Sequence, residues 1–226
     1  MLVTITLILI SWLIGWRFDK QSLSALGLFP RAVHCRIFII GLLTAVIAGL
    51  VYFGLTILFS KSNVAINPKF TLLQFLKSFG WVFNSVAMEE FIFRGIVFYF
   101  VLKKWGVKMA CVLSAVVFGM FHWQLNGIWG NLVPMVYIFL LTASAGWSFA
   151  YAFTKANSIL FPIGLHLGWN IINIIVFSEG PLGKQWLITN NGIEVDWVIS
   201  LLLFIYQLTI FPLLVIVLSK SKRLIA

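Results

Sequence analysis

Six acidic residues occur in this 226-residue chain, and two of them, Glu89 and Glu90, stand side by side in an otherwise apolar run from Phe70 to Leu102. Arg94 follows one helical turn later. A charge at bilayer depth costs about 2.5–3.5 kcal/mol on insertion scales, so residues kept there pair, face a polar cavity or do chemistry. On a helix Glu90 and Arg94 lie at i,i+4 in the favoured acid-then-base order and can pair. Glu89 is rotated by about 100° and has Phe93 at its own i+4 position. Glu89 is therefore the reactive candidate, with Glu90 and Arg94 as its structural support. The competing reading is an ion network that does no more than hold helices together, and the spacing alone leaves both open.

Three further polar groups interrupt apolar runs: His122, His166 and Asn170. Phe118 and His122 share a helix face, as do His166 and Asn170. Gly164 and Gly168 flank His166 in a G-x-x-x-G spacing that lets another backbone approach closely. Taken singly, each is as readily structural as functional. Counted along their helices from the basic ends, Glu89, His122 and Asn170 lie about 20 Å deep and His166 about 15 Å deep. One buried polar site built from three helices accounts for that common level.

A carboxylate and a histidine can share the activation of water. A second histidine and an amide can donate to a developing oxyanion. That set suits peptide-bond hydrolysis without a covalent nucleophile. The same Glu89, His122 and His166 could instead hold zinc, since two His and one carboxylate is a known catalytic zinc set. The amide of Asn170 is a poor zinc ligand and a good oxyanion donor, so no cofactor is the favoured expectation and zinc the alternative. Other protease chemistries fit poorly. There is no H-E-x-x-H, and the only aspartates, Asp19 and Asp196, fall outside the middles of the apolar runs. The Gly146-Trp147-Ser148-Phe149-Ala150 stretch lacks the second glycine of a serine elbow.

The elements that must position these groups are apolar helices. The chain is 62% hydrophobic and 10% charged, against roughly 25% charged in a soluble domain. Its mean hydropathy is +1.05. The expected fold is an all-α, polytopic transmembrane bundle of about seven to eight helices. The apolar runs are Met1–Trp16, Ile37–Phe59, Phe70–Leu102, Val107–Trp123, Leu132–Phe153, Ile159–Phe177 and Trp197–Leu218. The first lacks a basic n-region and reads as a retained helix rather than a signal peptide. The third is too long for one straight crossing, and its opening, Thr71 to Asn84, is expected to lie along the membrane surface before the helix turns inward. Residues 1–69 form an N-terminal region with a basic loop, 70–177 the core carrying the candidate site, and 178–226 an outer loop and last helix.

The net charge of +10 belongs to loops and anionic lipid rather than to nucleic acid. Arg17, Lys20, Arg31 and Arg36 follow the first run, Lys103, Lys104 and Lys108 the third, Lys155 the fifth, and Lys220, Lys222 and Arg223 the last. Lys61, Lys69 and Lys184, with Glu179, Glu194 and Asp196, fall in the other loops. The positive-inside rule then sets the N-terminus outside and the C-terminus in the cytoplasm. Cys35 and Cys111 are far apart and imply neither a disulfide framework nor a metal knuckle.

Glu89-Glu90-x-x-x-Arg94, Phe118-x-x-x-His122 and His166-x-x-x-Asn170, with Gly95 after the arginine, resemble the three motifs of the CPBP family. That family contains type II CAAX prenyl proteases and bacterial proteins of bacteriocin processing and immunity (Abi proteins). The resemblance covers about Phe70 to Phe177, and Leu26-Gly27-Leu28 is similar to a stretch before the second helix in the family. It implies a glutamic or metallo-type intramembrane endopeptidase. In family terms Glu89 and His122 activate water, His166 and Asn170 stabilise the oxyanion, and Glu90 and Arg94 hold the site. The substrate implied is a membrane-associated peptide or protein, in a bacterial cytoplasmic membrane. The alternative is a non-catalytic immunity or scaffold protein that binds a peptide in the same cavity.

Overall fold

The computed structural model describes residues 2–20, 23–28, 32–177 and 185–221. Among them are seven α-helices: α1 (Leu2–Asp19), α2 (Ala32–Ser60), α3 (Leu72–Arg94), α4 (Ile96–Leu125), α5 (Leu132–Ala156), α6 (Leu160–Asn170) and α7 (Trp197–Lys220). A 3-10 turn, Leu23–Leu26, precedes α2, and a π-helical segment, Ile171–Val176, prolongs α6. Arg31, Glu179, Lys184, Lys222 and Arg223 of the charge pattern lie outside the described residues, as does Met1.

The protein is an all-α integral membrane bundle. Among the described residues five stretches are long and apolar enough to cross a bilayer, fewer than the seven to eight helices expected, and two features explain the difference. The 54-residue stretch Leu72–Leu125 counts once although the chain doubles back within it, and Leu160–Val176 is a shorter apolar helix. The doubling back has local causes. Gly95 breaks the helix after Arg94; a Cβ there would lie 2.1 Å from the Phe91 carbonyl oxygen. Gly106, at φ +76°, then reverses the chain inside α4, a conformation that favours glycine. The expected change of course near Asn84 does not occur. Helix α3 runs unbroken from Leu72 to Arg94, capped by the Thr71 hydroxyl accepting from the Gln74 amide.

Small residues bring the helices together. On α6, a Cβ on Gly164 would lie 2.4 Å from the Phe38 carbonyl oxygen, and one on Gly168 2.3 Å from that of Leu42. A Cβ on Gly41 of α2 would lie 3.1 Å from Phe161, and one on Gly49 2.9 Å from Ile172. The G-x-x-x-G spacing thus serves backbone contact between α2 and α6. Helix α1 turns Thr4, Ser11 and Gly15 inward, and the Thr4 hydroxyl donates to the Asn84 side-chain oxygen at 2.9 Å.

Loops close both ends. At one end Leu26, fully buried, accepts from the Ile159 amide at 2.8 Å, and Ser158 donates to the Gly27 carbonyl at 2.9 Å. Gly27 has φ +58° and sits against the Asn157–Ser158 backbone, which accounts for the Leu26-Gly27-Leu28 stretch. Asp19 at the same end bonds Tyr99 at 2.6 Å and pairs with Lys103. The opposite end carries an unforeseen antiparallel pair, β1 (Asn63–Ile66) with β2 (Leu187–Asn190), registered by Asn63 opposite Asn190. The basic loops after α1 and within α4 therefore meet at one end with the α5–α6 junction, and Glu194 and Asp196 follow β2 at the other.

Candidate active site

Glu90 and Arg94 are fully buried and Glu89 is 6% exposed. The i,i+4 pair forms as the spacing predicts, with Arg94 Nη1 donating to Glu90 Oε1 at 3.2 Å. Arg94 Nη2 donates to the Gly146 carbonyl of α5 at 2.8 Å. The guanidinium carbon also lies 4.5 Å from the Phe118 ring centre and 5.4 Å from that of Phe149, so the charge is held by a carboxylate, a carbonyl and two aromatic faces. That enclosure explains why arginine, with its planar fork, fits here and a lysine would not.

Glu90 has a second partner that its sequence position conceals. His166 Nδ1 donates to the same Oε1 at 2.9 Å, joining α6 to α3 across 76 residues. The His166 ring, itself 6% exposed, stacks on Phe149 with centres 4.9 Å apart. With Nδ1–H given to Glu90, Nε2 accepts in the neutral ring and donates in the protonated one. It faces Glu89 Oε2 at 4.0 Å, too far for a direct hydrogen bond and a span that one oxygen can bridge. Glu89 Oε1 accepts from Ser85 at 3.2 Å, whereas Oε2 is buried with no partner among the described residues.

His122 sits near the end of α4, its Nδ1 donating to the Phe118 carbonyl at 2.8 Å. That bond sets the tautomer and leaves Nε2 as the accepting nitrogen. Phe118 lies between the two histidines, 4.6 Å from the His122 ring centre and 6.1 Å from that of His166. His122, His166 and Asn170 line one cavity of about 220 Å³. Glu89 and Glu90 meet this cavity through His166. Among the described residues no three His, Cys, Asp or Glu side chains are grouped closely enough to hold a metal ion. The donor set Glu89, His122 and His166 is accordingly not arranged as a first coordination shell.

Three polar residues of the cavity escaped the sequence reading: Asn173, Gln207 and Thr142. Asn173 was within reach, standing seven residues after His166 on the same helical face. Gln207 is an amide in the last apolar run, and an intramembrane polar side chain is itself a signal. Its neighbourhood carries a further adjustment. Pro212 of α7 cannot donate to the Leu208 carbonyl, and the Ser144 hydroxyl of α5 donates to it instead at 2.6 Å. The π-helical segment begins directly after Asn170 and carries Asn173, the kind of local widening often found at functional sites. Ser148, in the weak serine-like stretch, donates back to Ser144 at 2.9 Å within α5 and has no histidine partner among the described residues.

An all-α membrane protein with a buried Glu–Arg–His cluster beside a polar cavity is the class that fold and site define. The family described as "Type II CAAX prenyl endopeptidase Rce1-like" matches residues 71–172, a segment that contains all three motifs. Over 92 residues the chain is 30% identical to the Bacillus subtilis (strain 168) protein named "Putative membrane peptidase YdiL", which is 41% of this chain and 33% of that protein. The chain thus spans about a third of the length of the curated relative it matches. No solved structure matches. Both matches support a CPBP-type protease, each over less than half of the chain.

Proposed function

We propose that this protein is an intramembrane endopeptidase that cleaves a membrane-associated peptide or protein with a water activated by Glu89. The observation that carries this reading is Glu89 Oε2, buried, without a hydrogen-bond partner among the described residues and 4.0 Å from Nε2 of His166, which itself lines the cavity. Among the described residues Glu90 is held through Oε1 by both Arg94 and His166, whereas Glu89 is held only by the Ser85 hydroxyl, so the ion network leaves Glu89 out of its direct bonds.

In this mechanism the substrate carbonyl enters the cavity beside His166 and Asn170. Glu89 takes one proton from water as its oxygen attacks the carbonyl carbon, and His122 Nε2 accepts the water's other hydrogen as a hydrogen bond. The negative charge that develops on the carbonyl oxygen meets the Asn170 amide and His166 Nε2–H. Donation from Nε2 requires hydrogens on both ring nitrogens, with Nδ1–H held by Glu90. Arg94 offsets the Glu90 carboxylate. The C–N bond then breaks as the proton on Glu89 passes to the leaving amine. We propose that hydrolysis is metal-free, because among the described residues Glu89, His122 and His166 are not grouped closely enough to form a shell. The membrane is a bacterial cytoplasmic membrane with the C-terminus on the cytoplasmic side, a reading supported by the bacterial relative and by the basic loops that share one end of the bundle.

The reading is tested by comparing membrane-derived peptides in cells carrying wild-type protein and Glu89→Gln. Cleavage products that vanish in the variant at equal protein abundance support it. Identical peptide sets at equal abundance would favour the binding or immunity reading. Metal dependence is tested by measuring bound metal and assaying after chelation. One equivalent of zinc whose removal abolishes cleavage and whose return restores it would overturn the metal-free assignment.

A further inference from the structure

A second concavity lies away from the catalytic candidates, where the chain doubles back at Gly106. Ile92, Phe93, Val97 and Val101 form one wall, and Ala110, Leu113 and Val117 the other, around about 250 Å³. Val97 and Val101 are one turn apart on the first arm of α4, and Ala110, Leu113 and Val117 repeat at three and four residues on the second, while Ile92 and Phe93 add the end of α3. The lining is apolar apart from Ser114, whose hydroxyl donates to the Phe93 carbonyl. Leu113 also borders an adjoining hollow of about 370 Å³ with Trp105 and Met109, which extends the groove towards the reversal.

The basic cluster stands at that reversal. Lys103, Lys104 and Lys108 bracket Gly106 and are exposed, as is Trp105. Lys103 is paired with Asp19. Among the described residues Asp19 is the only acid in the loops of this end, and it pairs with Lys103 rather than with Lys104 or Lys108. Lys104 Nζ lies 5.4 Å from the Trp105 ring centre, and Trp side chains favour the headgroup level of a bilayer. Arg17, two residues before Asp19, adds positive charge at the same end.

We infer that the groove of the α4 reversal is a binding site for an anionic phospholipid, with an acyl chain between the two helical walls and the phosphate at Lys104 and Lys108. Charge complementarity selects the occupant: an apolar groove in a bilayer accepts any lipid tail, but two lysines at its mouth favour a headgroup with net negative charge. The inference is independent of catalysis.

The test uses full-length protein in detergent, titrated with phosphatidylglycerol or with phosphatidylcholine of the same chains and read by native mass spectrometry. Phosphatidylglycerol should be retained preferentially. Lys104→Gln and Lys108→Gln should each weaken its binding about fivefold, and the double variant should approach the phosphatidylcholine level. Lys61→Gln with Lys69→Gln, at the opposite end, should leave binding unchanged. Val97→Trp, which fills the groove, should lower retention of both lipids; the surface lysine variants carry the test if that variant folds poorly. Equal retention of the two lipids, or undiminished phosphatidylglycerol preference in the double lysine variant, would overturn the proposal. So would a dimer that covers the groove and excludes both lipids.

Discussion

Glu89 and Glu90 are sequence neighbours whose surroundings separate their roles. Glu90 binds Arg94 and His166 through one oxygen, so removing any member leaves a buried charge or donor unpaired. Glu90→Ala or Arg94→Ala is predicted to lower membrane abundance, at about 3–5 kcal/mol for a broken buried pair. Glu89→Gln should keep near-normal abundance, because the amide retains an oxygen to accept from Ser85. Immunoblots of membrane fractions compare the three, and equal losses would make Glu89 structural as well. The Glu90–Arg94 pair was legible in the sequence because i,i+4 spacing dictates it on any helix. The His166–Glu90 bond was not, since 76 residues separate the partners and only the packing of α6 on α3 joins them. Placing His122 and His166 on either side of Phe118 likewise depends on tertiary contacts that spacing within one helix does not encode.

Helices α2 and α6 hold the His166 segment in place through glycine. Gly164→Leu or Gly168→Leu would drive a side chain into the α2 backbone, where even a Cβ falls within 2.4 Å of a carbonyl oxygen. Either substitution is predicted to cost at least the roughly 1–3 kcal/mol of an overpacked core and to lower the thermal midpoint in detergent. Gly80→Ala, with open space around it, should not. An unchanged midpoint in both α6 variants would contradict this packing. The G-x-x-x-G spacing announced such a contact but not its partner. The breaks were partly legible: the run from Phe70 was too long for one crossing, but the bend expected near Asn84 falls instead at Gly95 and Gly106, where glycine permits it. The β1–β2 pair was invisible because two four-residue segments in polar loops, about 120 residues apart, carry no alternation to mark them.

The molecule as a whole is polarised. Its basic loops share one end, tied by Asp19 to Tyr99 and by Leu26 to Ile159, and its strand pair closes the other. In a Cys35→Ser background, Lys61→Cys is predicted to react with a membrane-impermeant maleimide added outside intact cells, and Lys155→Cys to react only after permeabilisation. The reverse pattern would invert the topology. Net charge and positive-inside reasoning made this polarity readable from the sequence, whereas the cavity, which draws Gln207 from α7 and Thr142 from α5 alongside the motif residues, exists only once the helices are assembled. The central claim is that this cavity and Glu89 together cleave a substrate within the membrane. Quantitative proteomics of membrane-derived peptides, in cells matched for expression of wild-type protein and Glu89→Gln, tests it most directly. The account predicts a discrete set of new peptide termini in wild-type cells that is lost in the variant; identical termini in both, with the two proteins equally abundant, would contradict it.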